Sequence, residues 1–229
     1  LASFFNTICR VALKKNKKSK RMNRIPEPEI MEIPLQVKAY AEADFSKSDS
    51  IVVKELEKYL KKVGKTLNKN DLILDLACGP GNISERIAKN WPFVSVVGID
   101  GSKEMLKQAE RKLSKGLMKN LTYELIDINS IASGENIFPI QAEVLVSNSA
   151  LHHFHDPYSF WNALKKLGKK NCIHIHRDLI RPTSVEKAFE IKEKHLPNSP
   201  EVLKKDFLAS LKASFTLDEV SQQLLNSGL

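Results

Sequence analysis

A glycine-rich turn after a run of apolar residues is the feature of this sequence best suited to chemistry. Residues 74–82 read LDLACGPGN, with Gly79 and Gly81 on either side of Pro80. Glycine lets the backbone adopt unusual angles and approach a ligand closely, because a Cβ atom there would collide with it. The backbone N–H groups of such a turn, with a helix start behind them, form a ready site for a carboxylate or a phosphate.

Three acidic residues at the ends of predicted strands narrow the choice of ligand. Asp75 lies in the strand that leads into the turn. An acid in a buried strand is explained if its carboxylate pairs with a ligand ammonium group held at the turn. Asp100 ends the second strand and can accept two hydrogen bonds from a ribose diol, and such charge-assisted bonds are the stronger kind. Asp127 ends the third strand and could accept a hydrogen bond from an adenine amino group.

A nicotinamide cofactor also uses a Gly-x-Gly turn, but the neighbouring residues argue against one here. The dinucleotide fingerprint has a third glycine or alanine three residues after the second, where this chain has Ser84. That fingerprint also gives Asp75 no role. A dehydrogenase is therefore the weaker interpretation.

The elements that must position these residues follow an alternating pattern from residue 72 onward, typical of consecutive βαβ units. Near-continuous apolar runs predict strands buried in a parallel sheet at residues 72–77, 94–100, 122–127, 144–147 and 172–179. Helical periodicity predicts helices at residues 82–89, 103–115 and 157–167, and a short one around Ile131. Outside this region it predicts helices at residues 50–63, with Ser50 as cap, 184–195, 200–215 and 217–227, with Thr216 as cap.

Together these residues resemble the class I S-adenosylmethionine-dependent methyltransferase family. Residues 75–81 resemble its first motif, Asp100 its second and Asp127 its third, in a match that covers about residues 72–182. The resemblance implies an α/β, Rossmann-like, doubly wound fold with helices on both faces of a mainly parallel sheet in the order 3-2-1-4-5. It also implies S-adenosyl-L-methionine as cofactor and S-adenosyl-L-homocysteine as product.

The same resemblance assigns cofactor contacts residue by residue. It places the methionine portion near Asp75, Ala77, Gly79 and Asn148, and the ribose on Asp100. It places the adenine beside Met105, Asp127 and Ile128, and it also counts Gly81 of the turn among the cofactor-binding residues. One departure is Ala77, where many members of the family have glycine. Alanine is small enough that we expect binding to survive.

The candidate catalytic residues are His152 and His153, in the loop that in this family borders the methyl group. A histidine there can act as a general base. Arg177, Asp178 and Arg181 follow or end the fifth strand, where ligands of open α/β sheets gather, and are candidate acceptor contacts.

Two further expectations concern the surroundings of this loop. Tyr40 and Phe45 are candidates for a lid over the cofactor. No metal site is predicted, because the histidines lack an acidic or thiol partner at a ligand spacing.

Charge sets the N-terminus apart from the rest of the chain. The net charge is +9, yet residues 1–26 carry eight basic residues and no acid, which leaves 28 basic against 27 acidic residues elsewhere. We therefore expect a basic N-terminal arm at 1–26, a helical or lid segment at 27–66 and a methyltransferase domain at 67–229. The chain starts at Leu1 and stops at Leu229 after helical sequence, so we expect a domain truncated at its C-terminus that lacks the family's sixth and seventh strands.

A small molecule is the preferred acceptor, because residues 147–150 lack the Asp/Asn-Pro-Pro-aromatic element of nucleic-acid amino methylation. Cys172 is poorly placed to act as the nucleophile of cytosine C5 methylation. An RNA or protein acceptor recruited by the basic arm stays open, as does a non-catalytic S-adenosylmethionine-binding module. Scattered cysteines and the absence of a membrane-length apolar run predict a cytoplasmic protein without a transmembrane segment. A homodimer could cover the exposed fifth strand.

Overall fold

A five-stranded parallel sheet forms the centre of the fold. The computed structural model describes residues 22–28, 30–114 and 118–229. The strands are β1 (Leu72–Leu76), β2 (Ser95–Asp100), β3 (Leu121–Leu125), β4 (Ala142–Asn148) and β5 (Gly168–Arg177). They pair in the order β3-β2-β1-β4-β5, as predicted, and every pair is parallel. The described residues contain no sixth or seventh strand.

Helices connect and flank the strands at α1 (Pro34–Glu42), α2 (Ser46–Val63), α3 (Asn82–Asn90), α4 (Lys103–Leu113), α5 (Ile128–Ser133), α6 (Pro157–Leu167), α7 (Val185–His195), α8 (Glu201–Ala213) and α9 (Leu217–Ser227). The Thr216 cap of α9 is confirmed. The Ser50 cap is wrong, because α2 already begins at Ser46 and the Ser50 hydroxyl donates to the Lys47 carbonyl. The predicted helix end at Lys115 lies outside the described residues.

Alternation along β1 divides the core into two layers. Leu74 and Leu76 face one layer together with Phe160 of α6. Ile73 faces the other layer, which is filled from α2 and α3 by side chains such as Leu56 and Ile87. Because β1 is buried on both faces and pairs on both edges, its carboxyl end is held rigidly. The turn that follows β1 therefore starts from a fixed point.

The C-terminal helices pack on different parts of the domain. Helix α9 packs on α6, whereas α8 packs on α1, on α7 and on a short 3-10 turn at Leu151–His153. Strand β5 forms one edge of the sheet. None of the helices in the described part of the chain combines the length and the apolar character needed to cross a membrane.

Candidate active site

A cavity of about 870 Å³ lies at the carboxyl ends of the strands. Ten of the predicted site residues line it: Asp75, Ala77, Gly79, Asp100, Met105, Asp127, Ile128, Asn148, His152 and His153. The candidate lid residues Tyr40 and Phe45 line it as well, with their rings 4.9 Å apart. The loops that follow β1, β2 and β4 thus bring together residues that are far apart in the sequence.

Gly79 presents bare backbone to this cavity. Its φ is +54°, and a Cβ added there would meet nothing within 4 Å. Its N–H donates to Oδ2 of Asp100 over 2.7 Å, which fixes the turn against β2. A side chain at this position would therefore enter open space that a ligand can use.

Position 81 requires glycine for packing, and not for the close approach of a ligand that was inferred from the sequence. It does not line the cavity. A Cβ at Gly81 would lie 2.1 Å from the Tyr123 hydroxyl oxygen, and its φ is +77°. The missing side chain makes room for Tyr123 under the start of α3, so the constraint comes from packing.

Ala77 adopts the left-handed backbone conformation, with φ at +50°. This conformation costs an L-residue about 1–2 kcal/mol, and glycine avoids the cost. Glycine loses about 0.5–1 kcal/mol through its freer unfolded chain. Ala77→Gly should therefore raise the free energy of unfolding by about 0.5–1 kcal/mol in urea denaturation. The matched control Ala209→Gly, inside α8, should lower it by about 1 kcal/mol, and a loss at both positions would contradict the strain.

Asp75 is a buried acid, with 1% of its surface exposed. Burial raises the pKa of its carboxyl to about 7, although the Ser84 hydroxyl donates to Oδ2 over 2.6 Å. A cation bound nearby would stabilise the charged form. Ser84, which argued against a nicotinamide cofactor, thus holds this carboxyl in place.

Asp100 connects the turn to α4. Its two carboxylate oxygens accept hydrogen bonds from the N–H groups of Gly79 and Ser102, each over 2.7 Å. Burial raises the pKa of this carboxyl even though both hydrogen bonds act in the opposite direction. Each oxygen keeps a further lone pair that can accept from a ligand hydroxyl.

Asp127 caps α5, where its carboxylate accepts from the Asn129 N–H over 2.9 Å. Asp156 caps α6 in the same way, through the Tyr158 N–H, but lies outside the cavity. Replacement of either by alanine should cost about 1 kcal/mol of stability. Only Asp127→Ala should also weaken S-adenosylhomocysteine binding in calorimetry, by about 0.5–1.5 kcal/mol. Equal affinities in the two variants would leave Asp127 with the capping role alone.

His152 lines the cavity and is held between two carboxylates. Its Nδ1 lies 2.5 Å from Oδ1 of Asp178, and its Nε2 lies 3.4 Å from Oε1 of Glu27. Burial alone would lower the pKa of His152, but Asp178 and Glu27 outweigh it and raise the pKa. Both ring nitrogens are therefore directed at protein groups.

His153 shares Glu27 with its neighbour, since its Nδ1 lies 3.3 Å from the same Oε1 atom. Burial and the adjacent His152 lower the pKa of His153 to about 3. Burial raises the pKa of Glu27, whose carboxylate also accepts from the Ser210 hydroxyl. Glu27 was missed in the sequence because it lies about 125 residues before the histidines.

Residues 22–28 pack against this loop and bring Glu27 to it. Arg24 donates to the carbonyl groups of Ala213, His152 and Phe154, and its guanidinium lies 4.0 Å from the centre of the Phe215 ring. Part of the predicted basic arm is therefore packed against the domain. The other seven basic residues of the arm lie outside the described residues.

The end of β5 contributes two of the three predicted acceptor contacts. Arg177 and Asp178 line the cavity, and the Arg177 guanidinium donates to the side-chain oxygen of Asn148 over 3.1 Å. Arg181 does not line it. Its buried guanidinium instead donates to the Ser214 carbonyl and pairs with Glu219, so it ties the chain after β5 to the start of α9.

Comparison with known proteins identifies a family. Residues 67–208 match the model of a family described as "Methyltransferase domain". An uncharacterized methyltransferase of Schizosaccharomyces pombe is 31% identical over 111 residues, which cover 46% of this chain and 38% of that protein. A trans-aconitate 2-methyltransferase of Afipia carboxidovorans is 49% identical over 41 residues, or 18% of this chain and 16% of that protein. The chain thus spans less than half the length of these relatives.

A solved structure has the same fold. The plantazolicin methyltransferase BpumL, in a complex with a pentazolic desmethylPZN analog and S-adenosylhomocysteine, superposes with a TM-score of 0.64 at 21% identity. The alignment covers 84% of this chain and 67% of that one. Because the family model covers more than half of the sequence, the chain belongs to the class I S-adenosylmethionine-dependent methyltransferase family.

Proposed function

We propose that the protein transfers a methyl group from S-adenosylmethionine to a small-molecule acceptor bound in the same cavity. One observation carries this proposal. A single cavity joins the Gly79 turn and its buried acids to a second polar group around Asn148, His152 and Arg177. A cofactor bound at the Gly79 turn would therefore have its methyl acceptor beside Asn148, His152 and Arg177.

The cofactor end fits S-adenosylmethionine in three respects. Gly79 leaves space for a ligand, Asp75 is a buried acid that a ligand ammonium would stabilise, and Asp100 has lone pairs for a ribose diol. When bound, the cofactor supplies a methyl group already activated on a sulfonium. We assign its three parts as the family resemblance does. The methionine portion lies near Asp75, Ala77, Gly79 and Asn148, the ribose on Asp100, and the adenine beside Met105, Asp127 and Ile128.

The acceptor end combines an apolar wall with a polar floor. Apolar side chains of α7 and α8 and the loop between them line it: Ile191, Leu196, Leu203, Phe207 and Leu211. On the floor, Arg177 offers a cation. We therefore propose a mainly apolar acceptor with an oxygen or nitrogen nucleophile, and an anionic group is the one that Arg177 would bind best. The names of two relatives, a trans-aconitate and a plantazolicin methyltransferase, support small or peptide acceptors.

The chain's own contribution is alignment and the exclusion of water, which can accelerate a displacement by several powers of ten. Tyr40 and Phe45 would serve as the lid within the segment 27–66, ahead of the methyltransferase domain at 67–229. A general-base role of His152 or His153 stays a prediction. Both ring nitrogens of His152 are directed at carboxylates, so a direct proton transfer from an acceptor would require one of these contacts to open.

The deciding experiment supplies S-adenosylmethionine with a labelled methyl group to the protein in a metabolite extract. We expect label in a small molecule, and none with a Gly79→Val variant. Label in RNA or protein instead, lost on deletion of residues 1–21, would favour recruitment by the basic arm. S-adenosylhomocysteine binding without any transfer would favour a non-catalytic module. The homodimer over β5 is tested by light scattering on the same preparation.

A further inference from the structure

Three potential metal ligands from two distant parts of the chain converge at the floor of the cavity. They are a carboxylate oxygen of Glu27 and one ring nitrogen each of His152 and His153, and the three ligand atoms lie within 4.8 Å of one another. Oε1 of Glu27 is 3.4 Å from Nε2 of His152 and 3.3 Å from Nδ1 of His153. We propose that these three atoms bind a zinc ion.

The strongest argument is an unpartnered lone pair. Nδ1 of His153 is shielded from solvent and has no hydrogen-bond partner in the structure. The ring also forms a hydrogen bond with the Pro28 backbone, where only the carbonyl can accept because proline has no N–H. Since Nδ1 has no partner, this bond uses Nε2, which therefore carries the proton. The lone pair of Nδ1 therefore faces the lone pairs of the Glu27 carboxylate at 3.3 Å. Two such groups repel each other unless a cation or a shared proton lies between them.

The two distances from the Glu27 oxygen match the edge of a tetrahedral site. Zinc bonds to imidazole nitrogen and carboxylate oxygen measure about 2.0–2.2 Å, so two ligand atoms of a tetrahedron lie about 3.3–3.5 Å apart. Both measured separations from the Glu27 oxygen agree with this edge. Mixed imidazole and carboxylate ligands also suit zinc, whereas magnesium and calcium prefer oxygen alone.

Asp178 and Ser210 form hydrogen bonds with two of the proposed ligands, as the groups around known metal sites do. Asp178 accepts from Nδ1 of His152, which leaves Nε2 free to bind a metal, and it also accepts from the backbone N–H groups of His152 and Leu179. Such a carboxylate–histidine pair fixes the ring and raises its basicity. The Ser210 hydroxyl orients the Glu27 carboxylate from the other side.

The position of the site suggests a fourth ligand. The two histidines and Ser210 line the cavity, whereas Glu27 lies behind them. Three protein ligands would leave one zinc position open, as in catalytic zinc sites. An oxygen from the cavity side, either water or an anionic acceptor group, would complete the coordination. The proposal goes beyond methyl transfer and does not depend on it.

Zinc binding is measured on the full chain, stripped with a chelator, by metal content after dialysis and by competition with a chromophoric chelator. We expect one zinc per chain and, after replacement with cobalt, the visible spectrum of a tetrahedral site. Glu27→Gln should weaken zinc binding by at least about 100-fold, and Asp178→Asn, behind His152, by about 10- to 100-fold. The matched control Glu190→Gln removes an exposed acid of α7 and should bind zinc as the wild type does.

Two outcomes would overturn the proposal. The wild-type chain could retain no zinc, in which case a shared proton satisfies the Glu27–His153 contact. Alternatively, Glu27→Gln could bind zinc as tightly as Glu190→Gln, which would place the metal elsewhere. Both results come from folded protein and contain no methyl donor, so they are independent of the methyl-transfer assay.

Discussion

Gly79→Val should abolish measurable binding of S-adenosylhomocysteine, a loss of at least about 100-fold in affinity by calorimetry. The reason is steric, because the position faces open cavity and an added side chain occupies space that the ligand needs. The domain should remain folded. The backbone strain of a side chain at φ +54° would cost about 1–2 kcal/mol of stability.

Gly64→Val is the matched control for that strain. Gly64 ends α2 with φ at +66°, an added Cβ there also meets nothing within 4 Å, and it lies away from the cavity. Both variants should lose similar stability, and only Gly79→Val should lose the ligand. Tight binding by Gly79→Val would mean that the cofactor does not approach this turn.

Asp100→Ala should weaken S-adenosylhomocysteine binding by about 1.5–3 kcal/mol, or about 10- to 150-fold in Kd. The substitution removes the proposed charge-assisted bonds to the ribose. It also releases the Gly79 and Ser102 N–H groups, so the turn loses its attachment to β2. Calorimetry on the purified variant gives the affinity, and urea denaturation gives the accompanying loss of stability.

Asp71→Ala separates the two effects of that substitution. Asp71 is likewise a buried acid that accepts a backbone N–H, from Asn68 over 2.8 Å, but it precedes β1 and lies outside the cavity. It should lose stability and keep full affinity. An Asp100→Ala variant with wild-type affinity would remove the ribose assignment, whatever its stability.

The predictions that the structure confirms are based on patterns among residues close together in the sequence. The apolar run of β1 and the glycine turn after it lie within ten residues, and the parallel order follows from right-handed crossovers between consecutive βαβ units. The cap of α9 depends on Thr216 and Glu219, three residues apart. Such features are visible in a sequence because the interacting residues are close along the chain.

Contacts between distant residues could not be predicted in this way. The packing of Tyr123 against Gly81 spans 42 residues, and Arg24 bonds the Ala213 carbonyl across 189. The prediction that no metal site is present was based only on residues close to the histidines in the sequence, and Glu27 is not among them. The apolar run around Asp75 predicted its burial, but the pKa of its carboxyl, raised to about 7, also depends on the position of Ser84 and of the other acids in the fold.

The course of residues 22–28 has a consequence for the order in which the chain can assemble during synthesis. Strands β1 to β4, with the turn and acids of the cofactor end, lie between residues 72 and 148 and can pair as soon as they leave the ribosome. The floor beside His152 needs the N-terminal segment and also the end of α8 near Ala213, because Arg24 bonds both. The part of the cavity beside His152 is therefore the last to form, and a molecule that binds only there stabilises the folded domain and not the intermediates that lack residues up to Ala213.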